Sequence, residues 1–441
     1  MTAASSPAPV SRSTIFATWW PLAASWLMMG LELPAVSAVI ARLENPQVHL
    51  AAYGGVVFPL ALLVESPIIM LLAASTALSR DRESYVRLRL FMFRAAGALT
   101  LLHLLVAATP LFDLVVGGIL RSPPEIRGPA RLGLLIMTPW TASIAYRRFQ
   151  QGILIRFHRS RFVGAGTAVR LAANLVVLAL GLWNGKIPGI VVGTAAVVAG
   201  VVSEAIFAGL IVRPVIRAEL GNRPDTKHPL TWPGLFRFYV PLALTPLLSL
   251  IVLPILSAGM GRMPRALDSL ATLPALSGLI FILRSLGLAY NEVVVALVER
   301  PGARKSLSRF ARDLALAVTM LLALVALTPL GDVWFRHLSG LPAELAALGA
   351  VGLVIAIALP ALGVYQSWYQ GVLVAQRKTR GVSEAVAVAL VAVVATVAAG
   401  VLWGKMPGLW VGIFAQLVGN IAQTAWLRVR SRGPLADMKH G

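Results

Sequence analysis

The sequence predicts an all-α membrane protein of about twelve transmembrane helices in two parallel six-helix lobes, and three observations carry that expectation. The first is composition: of 441 residues, 58% are apolar and 13% charged, with mean hydropathy +0.79. A water-soluble domain of that make-up would expose large apolar patches, so most of its surface is expected to meet lipid. The second is spacing. Roughly 20 mainly apolar residues cross about 30 Å of hydrocarbon as a helix, and such stretches recur along the chain with short polar breaks. The third is internal repetition, in which motifs of the first half recur at an offset of 219 or 220 residues.

The expected spans are approximately 15–41, 50–79, 87–109, 130–155, 162–183, 187–213, 234–261, 268–298, 310–331, 343–374, 381–403 and 407–428. The polar stretch before them has no cationic region followed by a cleavage site, so the first span is expected to serve as an uncleaved insertion signal.

The net charge of +21 would suit a nucleic-acid binder, but in a membrane chain basic residues report topology first, and no nucleic-acid partner is expected. After the even-numbered spans lie Arg80, Arg82, Arg87, Arg89, then Arg156, Arg159, Arg161, then Arg213, Arg217, Arg223 and Lys227. Arg300, Arg304, Lys305, Arg309 and Arg312 come next, then Arg377, Lys378 and Arg380, then Arg428, Arg430, Arg432 and Lys439. With Arg12 these make 24 cations on one face, against 9 on the other: Arg42, Arg121, Arg127, Arg131, Lys186, Arg262, Arg265, Arg336 and Lys405. The positive-inside rule then places both termini in the cytoplasm of a cell membrane, a bacterial inner membrane by expectation. Trp19, Trp20, Trp183, Trp232, Trp403 and Trp410 fall near span ends, where an indole keeps its ring in lipid and its N–H among headgroups.

The halves repeat. Tyr146, Gln151 and Gly152 match Tyr365, Gln370 and Gly371 at an offset of 219. At the same offset Thr109-Pro110-Leu111-Phe112-Asp113 matches Thr328-Pro329-Leu330-Gly331-Asp332, and Gly185-Lys186-Ile187-Pro188-Gly189 matches Gly404-Lys405-Met406-Pro407-Gly408. Pro21 and Pro34 correspond to Pro241 and Pro254 at an offset of 220. The organisation expected is a tail over 1–14, a six-helix lobe over 15–217, a linker over 218–232, a second lobe over 233–430 and a tail over 431–441. An even number of spans per half makes the copies parallel, related by an axis along the membrane normal, as in transporters that work by alternating access.

A charge at mid-membrane costs about 2.5–3.5 kcal/mol on insertion scales, so each one needs a partner or a wet cavity. The candidates are Glu32, Glu65, Arg94, Arg147, Arg148, Arg170, Glu204, Arg284 and Glu292. Glu65 and Arg284 are repeat equivalents, and two readings stand: they pair across the lobes, or each is satisfied within its own. Glu32 precedes Pro34, which frees backbone carbonyls, so it is either a proton or Na⁺ site or a solvated carboxylate at a kink. Pro34 and Pro254 are the expected hinges. Arg147 and Arg148 lie close enough to the span end to snorkel. Five arginines against four glutamates leave a cationic excess suited to anions, which guanidinium forks grip. Glu204 with its counterpart Gln423, and Asn174 with Asn420, add polar groups that act as interhelical glue or as ligands.

Enzyme constellations are absent: no HExxH, GxSxG, DDxxD or P-loop pattern occurs, and no enzyme is expected. There is no cysteine, and the six histidines have no metal-ligand spacing, so neither a cofactor nor a metal site is expected. The loops are too short for an ATPase domain. Energy is then expected from a substrate gradient or from Na⁺ or H⁺ as coupling ion, and the expected partners are membrane lipid and a small-molecule or lipid substrate.

The stretches Leu50-Ala51-Ala52-Tyr53-Gly54, Ser79-Arg80-Asp81-Arg82, Gln151-Gly152-Ile153-Leu154-Ile155 with Phe162-Val163-Gly164, and Val240-Pro241-Leu242-Ala243-Leu244 resemble the progressive ankylosis family and its bacterial relatives. That family lies within the MATE-like multidrug/oligosaccharidyl-lipid/polysaccharide (MOP) flippase superfamily. The resemblance implies two lobes around a V-shaped cavity lined by the first two helices of each. It also implies efflux of anionic metabolites such as pyrophosphate, nucleotides or citrate, with cation-coupled drug export or lipid-linked sugar flipping among the cousins. The aspartate that drug exporters carry in the first helix is missing here, and Glu32 is that helix's only acid. A major facilitator fold ranks second, because the run Ser75-Thr76-Ala77-Leu78-Ser79-Arg80 before Asp81-Arg82 lacks that fold's glycine.

Overall fold

The structure, a computed structural model, describes residues 10–221, 230–300, 302–376 and 378–437. Most of the expected linker, much of both tails, and the cations Arg223, Lys227, Arg377 and Lys439 lie outside the described residues. Among the described residues every regular element is helical. The α-helices are α1 (Arg12–Gly30), α2 (Glu32–Ile40), α3 (Pro46–Ala52), α4 (Phe58–Glu65), α5 (Leu71–Leu78), α6 (Arg82–Ala108), α7 (Pro124–Arg156), α8 (Arg161–Asn184) and α9 (Gly189–Leu220). They continue as α10 (Trp232–Leu250), α11 (Val252–Met260), α12 (Ala266–Leu297), α13 (Ala303–Leu327), α14 (Leu330–Asp332), α15 (Ala343–Ile355), α16 (Leu359–Ala375), α17 (Arg380–Trp403) and α18 (Gly408–Asp437).

Among the described residues nine helical stretches are long and apolar enough to cross a membrane, ten if the pair α15 and α16, bent by 42°, is one span. The difference from about twelve has a physical source. α7 and α18, 33 and 30 residues long, have the length to cross but are diluted by polar side chains. On α7 these include Arg147, Arg148, Gln150 and Gln151; on α18 they are Gln416, Asn420 and Gln423. Hydropathy undervalues a helix whose polar face is turned toward other helices. Elsewhere the outward faces are apolar: Leu101 and Leu105 on α6, Val176 and Leu180 on α8, and Met320, Leu321 and Leu324 on α13 are all exposed.

Helix ends follow local chemistry. Ser11, Asp81 and Thr231 accept the backbone N–H of Thr14, Ser84 and Gly234 at 3.1, 2.8 and 3.2 Å, the side-chain caps that an N-terminus demands. α1 stops at Gly30 and α10 at Leu250, in each case four residues before a proline, Pro34 or Pro254. A proline has no N–H to offer the carbonyl four residues back, so the ladder ends there.

The duplication is written into the backbone. Asn45 and Arg265 both adopt left-handed φ, 49° and 56°, and Arg42 and Arg262 donate to Ala38 O and Ala258 O at 2.7 and 2.6 Å. Thr109 and Thr328 each donate to the carbonyl four residues earlier at 2.6 Å and accept an N–H at 3.3 Å. Gly185 and Gly404 close α8 and α17 with φ of 67° and 64°, a conformation that glycine adopts without strain.

The repeat offset itself changes, from 220 at the Asn45 and Arg265 pair to 219 at Thr109 and beyond, so the first half holds one extra residue between these points. The structure locates it. Tyr53–Val57 forms a π turn in which Phe58 N–H reaches Tyr53 O, five residues back, whereas α12 runs as unbroken α-helix through the equivalent stretch. A π turn absorbs one residue more than an α turn and leaves the helix on either side of it intact.

Packing divides the chain into two compact units, Met1–Pro34 with Pro274–Gly441, and Ala35–Leu273. The division by packing crosses the division by repetition: α1 packs with second-half helices, and α10 and α11 with first-half ones. In the first unit Trp19 donates its indole N–H to Leu286 O at 2.9 Å and meets Phe310 edge-on at 5.7 Å, Arg12 pairs with Asp313, and Tyr290 donates to Leu307 O at 2.7 Å. In the second unit Tyr239 donates to Pro67 O at 2.6 Å and stacks edge-on against Phe91 at 4.8 Å.

Candidate functional site

The polar interior of the Ala35–Leu273 unit is built on α4, α7, α8 and α9. Pro67 has no N–H to give Leu63 O; Ser66 donates to that carbonyl instead, through its backbone N–H and through Oγ at 2.7 Å, and α4 ends at Glu65. The carboxylate is therefore held at a broken helix terminus, buried to 4% exposure, where the helix dipole disfavours a negative charge. Arg147, Arg148 and Arg170 lie within electrostatic reach of it.

On α7, Arg147 and Gln151 are four residues apart and share a face. Both reach the fully buried Glu204 of α9: Arg147 Nη1 donates to Oε2 at 2.6 Å and Gln151 Nε2 donates to Oε1 at 2.9 Å. This ion pair is too deep for Arg147 to snorkel to solvent. Arg148 points about 100° away from Arg147, as consecutive helical residues do. Its Nε is buried without a hydrogen-bond partner among the described residues, as are Glu65 Oε2 and Gln150 Oε1. Arg170 and Asn174 stand on α8, half-buried and buried.

Small residues bring these helices together. A Cβ on Gly166 would touch Glu204 Cγ at 3.4 Å, and one on Gly200 would meet Arg170 O at 2.9 Å. At Gly152 it would collide with Ser75 Oγ and Leu72 O of α5, while Thr76 Oγ1 donates to Gly152 O at 3.1 Å. Gly152→Ala should therefore lower stability by about 1–3 kcal/mol, the usual cost of overpacking. Thermal unfolding in detergent reads this; an unchanged midpoint would mean that α5 and α7 separate freely.

The Pro274–Gly441 unit answers with amides. Gln366, the repeat counterpart of Arg147, donates to Asn420 Oδ1 at 3.1 Å and Thr424 Oγ1 at 3.3 Å, and Arg284 Nη2 donates to Asn420 Oδ1 at 3.3 Å. Within its own unit Arg284 thus has Asn420 as a hydrogen-bond partner, and Glu65 has Arg147, Arg148 and Arg170 as charged neighbours. Gln366 is not among the residues that the sequence singles out, although the offset of 219 from Arg147 marks it; Gln151 and Gly152 stand out there as repeat motifs and within the stretch that carries the family resemblance, not as site residues.

The remaining candidates lie elsewhere. Arg94 on α6 and Glu292 on α12 are exposed, not interior; Arg94 rests 5.5 Å over the Trp232 ring. Depth along a span is legible in sequence, but the face of the helix is not. Glu32 and Pro34 are half-buried at the start of α2, and Pro254 is buried in α11. Among the described residues no group of three acidic, histidine or cysteine side chains is placed to hold a metal ion.

No protein-family model matches the chain, and no curated protein matches it. Solved structures do. An inward-facing multidrug resistance MATE family transporter of the MOP superfamily aligns with TM-score 0.71 at 14% identity, over 94% of this chain and 99% of that one. The lipid II flippase MurJ, in an inward closed conformation, aligns with TM-score 0.69 at 15% identity, over 93% and 87%. A MOP superfamily transporter from Pyrococcus furiosus, described by the reverse polarity of its binding pocket, aligns with TM-score 0.58 at 14% identity, over 96% and 97%. The fold is that of MATE and MOP transporters and flippases, as the resemblance implied. These neighbours are not enzymes, in keeping with the missing catalytic motifs.

Proposed function

We propose that this chain is a secondary transporter that moves a small anionic solute across a cell membrane by alternating access, holding the anion at Arg148. One observation carries the reading: the cluster of the Ala35–Leu273 unit sets three guanidiniums, Arg147, Arg148 and Arg170, against two carboxylates, Glu65 and Glu204, and Arg147 is committed to Glu204. Three less two leaves one positive charge. A net cation inside a membrane protein is costly unless an anion or water compensates it, and Arg148 Nε is a buried donor left to receive one. In the other unit Arg284 stands among neutral amides, again one net cation. Glu32 and Glu65 are the carboxylates on which Na⁺ or H⁺ coupling would rest. The two duplicated halves, over 15–217 and 233–430, are the proposed moving lobes, with both termini cytoplasmic on the positive-inside balance.

A second reading, lipid or lipid-linked sugar flipping, draws on the TM-score of 0.69 to a lipid II flippase. Proteoliposome flux of pyrophosphate, ATP, citrate and a cationic dye, each with and without Na⁺ and proton gradients, tests the choice. Arg148→Gln should lower anion flux at least about tenfold, the worth of one charge-assisted hydrogen bond, while leaving the unfolding midpoint within a few degrees of wild type. Selective movement of the dye, or anion flux indifferent to Arg148, would sink the anionic reading.

A further inference from the structure

Away from this cluster, where α5, α7 and α9 end, lies a cavity of about 410 Å³ lined by Thr76, Ile155, Arg156, Phe157, His158 and Glu219. It is over ten times the roughly 30 Å³ that one water occupies in the liquid. Along α7 it sits eight residues, or ~12 Å, beyond Arg148, so it is separate from the proposed anion site. The helices that line it stop at this level, and Arg80, Arg159 and Arg161, within a few residues of its lining in sequence, are exposed.

Two features fix its chemistry. Arg156 Nη1 donates to Thr76 O at 2.8 Å and its guanidinium lies 5.9 Å from the Phe157 ring, so a cation is held in place at the wall. His158 closes the turn with φ of +58°, in the left-handed region. A side chain there costs about 1–2 kcal/mol that glycine would avoid, and backbone strain retained in a cavity wall points to a use for the side chain. From α9 the same cavity is lined by Glu219, which carries a carboxylate. A guanidinium recognises phosphate; a carboxylate recognises an ammonium that can donate N–H. Basic pockets between helices at the headgroup level hold lipid headgroups.

We propose that this rim cavity binds a phosphoethanolamine group, with the phosphate on Arg156 and the primary ammonium on Glu219. The source is a bilayer lipid or a free solute, and the test separates them. Native mass spectrometry of the full chain after detergent exchange should retain phosphatidylethanolamine at least about fivefold over phosphatidylcholine, whose ammonium has no N–H, and over phosphatidylglycerol, which has no ammonium. Glu219→Gln, close to isosteric, should erase the preference over phosphatidylglycerol, and Arg156→Lys should weaken retention of both. Displacement by millimolar phosphoethanolamine would assign the site to a free solute; retention against it would assign the site to lipid. Equal retention of the three lipids by wild type, or a preference that Glu219→Gln leaves intact, would overturn the proposal. If Arg156→Lys does not fold, Glu219→Gln decides alone. The readout is binding, so it stands or falls apart from transport.

Discussion

Glu204→Gln alone should cost the folded protein about 3–5 kcal/mol, because it leaves the Arg147 guanidinium buried without its counter-charge. Arg147→Gln alone should cost a similar amount for the opposite reason. The double substitution should cost far less than the sum, and the chain itself supplies the precedent. At the equivalent places of its second half stand Gln366 and Gln423, and Gln366 is satisfied by Asn420 and Thr424 at 3.1 and 3.3 Å. Amides can therefore fill this position in this fold. Because the double change removes one cation and one anion, the excess positive charge assigned to Arg148 is untouched, and anion flux should survive in the double variant while both single variants unfold at markedly lower midpoints. A double-mutant cycle on denaturation midpoints measures the coupling; additive losses would mean that the 2.6 Å contact contributes nothing as a pair.

The π turn sets up the second large effect. Deleting Gly54 should turn Tyr53–Val57 into an ordinary helical turn, matching α12, and leave the register of everything downstream in place. Deleting Leu62 instead shifts residues by about 100° around the helix axis. If the rotation passes downstream, Glu65 leaves its three arginines. If the wide turn closes to absorb it, Pro59, Leu60 and Ala61, all buried, turn out of their packing. The expected outcome is a monodisperse, folded protein for the Gly54 deletion and aggregation on extraction for the Leu62 deletion, read by fluorescence-detected size-exclusion chromatography. Equal tolerance of both would show that the register of this helix is not constrained.

Much of this architecture was legible in the sequence, for reasons that particular residues make plain. The helical membrane class follows from apolar runs that nothing but lipid would accept. The duplication follows from Gly185 and Gly404, or Thr109 and Thr328, where a turn demands one residue type and so preserves it in both copies. What was not legible is azimuth and partnership. Arg94 and Arg147 both sit deep in their spans, yet one lies out over Trp232 and the other is buried against Glu204. Which face turns inward is decided by helices 57 or more residues away, and periodicity is weak evidence when every face is apolar. The spans expected over 130–155 and 407–428 are present as α7 and α18, and what lowers their average hydropathy is polar side chains, such as Arg147 and Gln151, that face other helices.

The packing of α1 bears on biogenesis. Trp19 finds its acceptor 267 residues downstream, and Arg12 finds its ion-pair partner 301 residues downstream. At a synthesis rate of about 5–20 residues per second, α1 waits for on the order of fifteen seconds to a minute before its final neighbours exist. Throughout that interval its aromatic face lacks the α12 and α13 partners against which it finally packs. A nascent chain stalled after residue 273 should accordingly present α1 to crosslinkers at Trp19, and a chain released at full length should not.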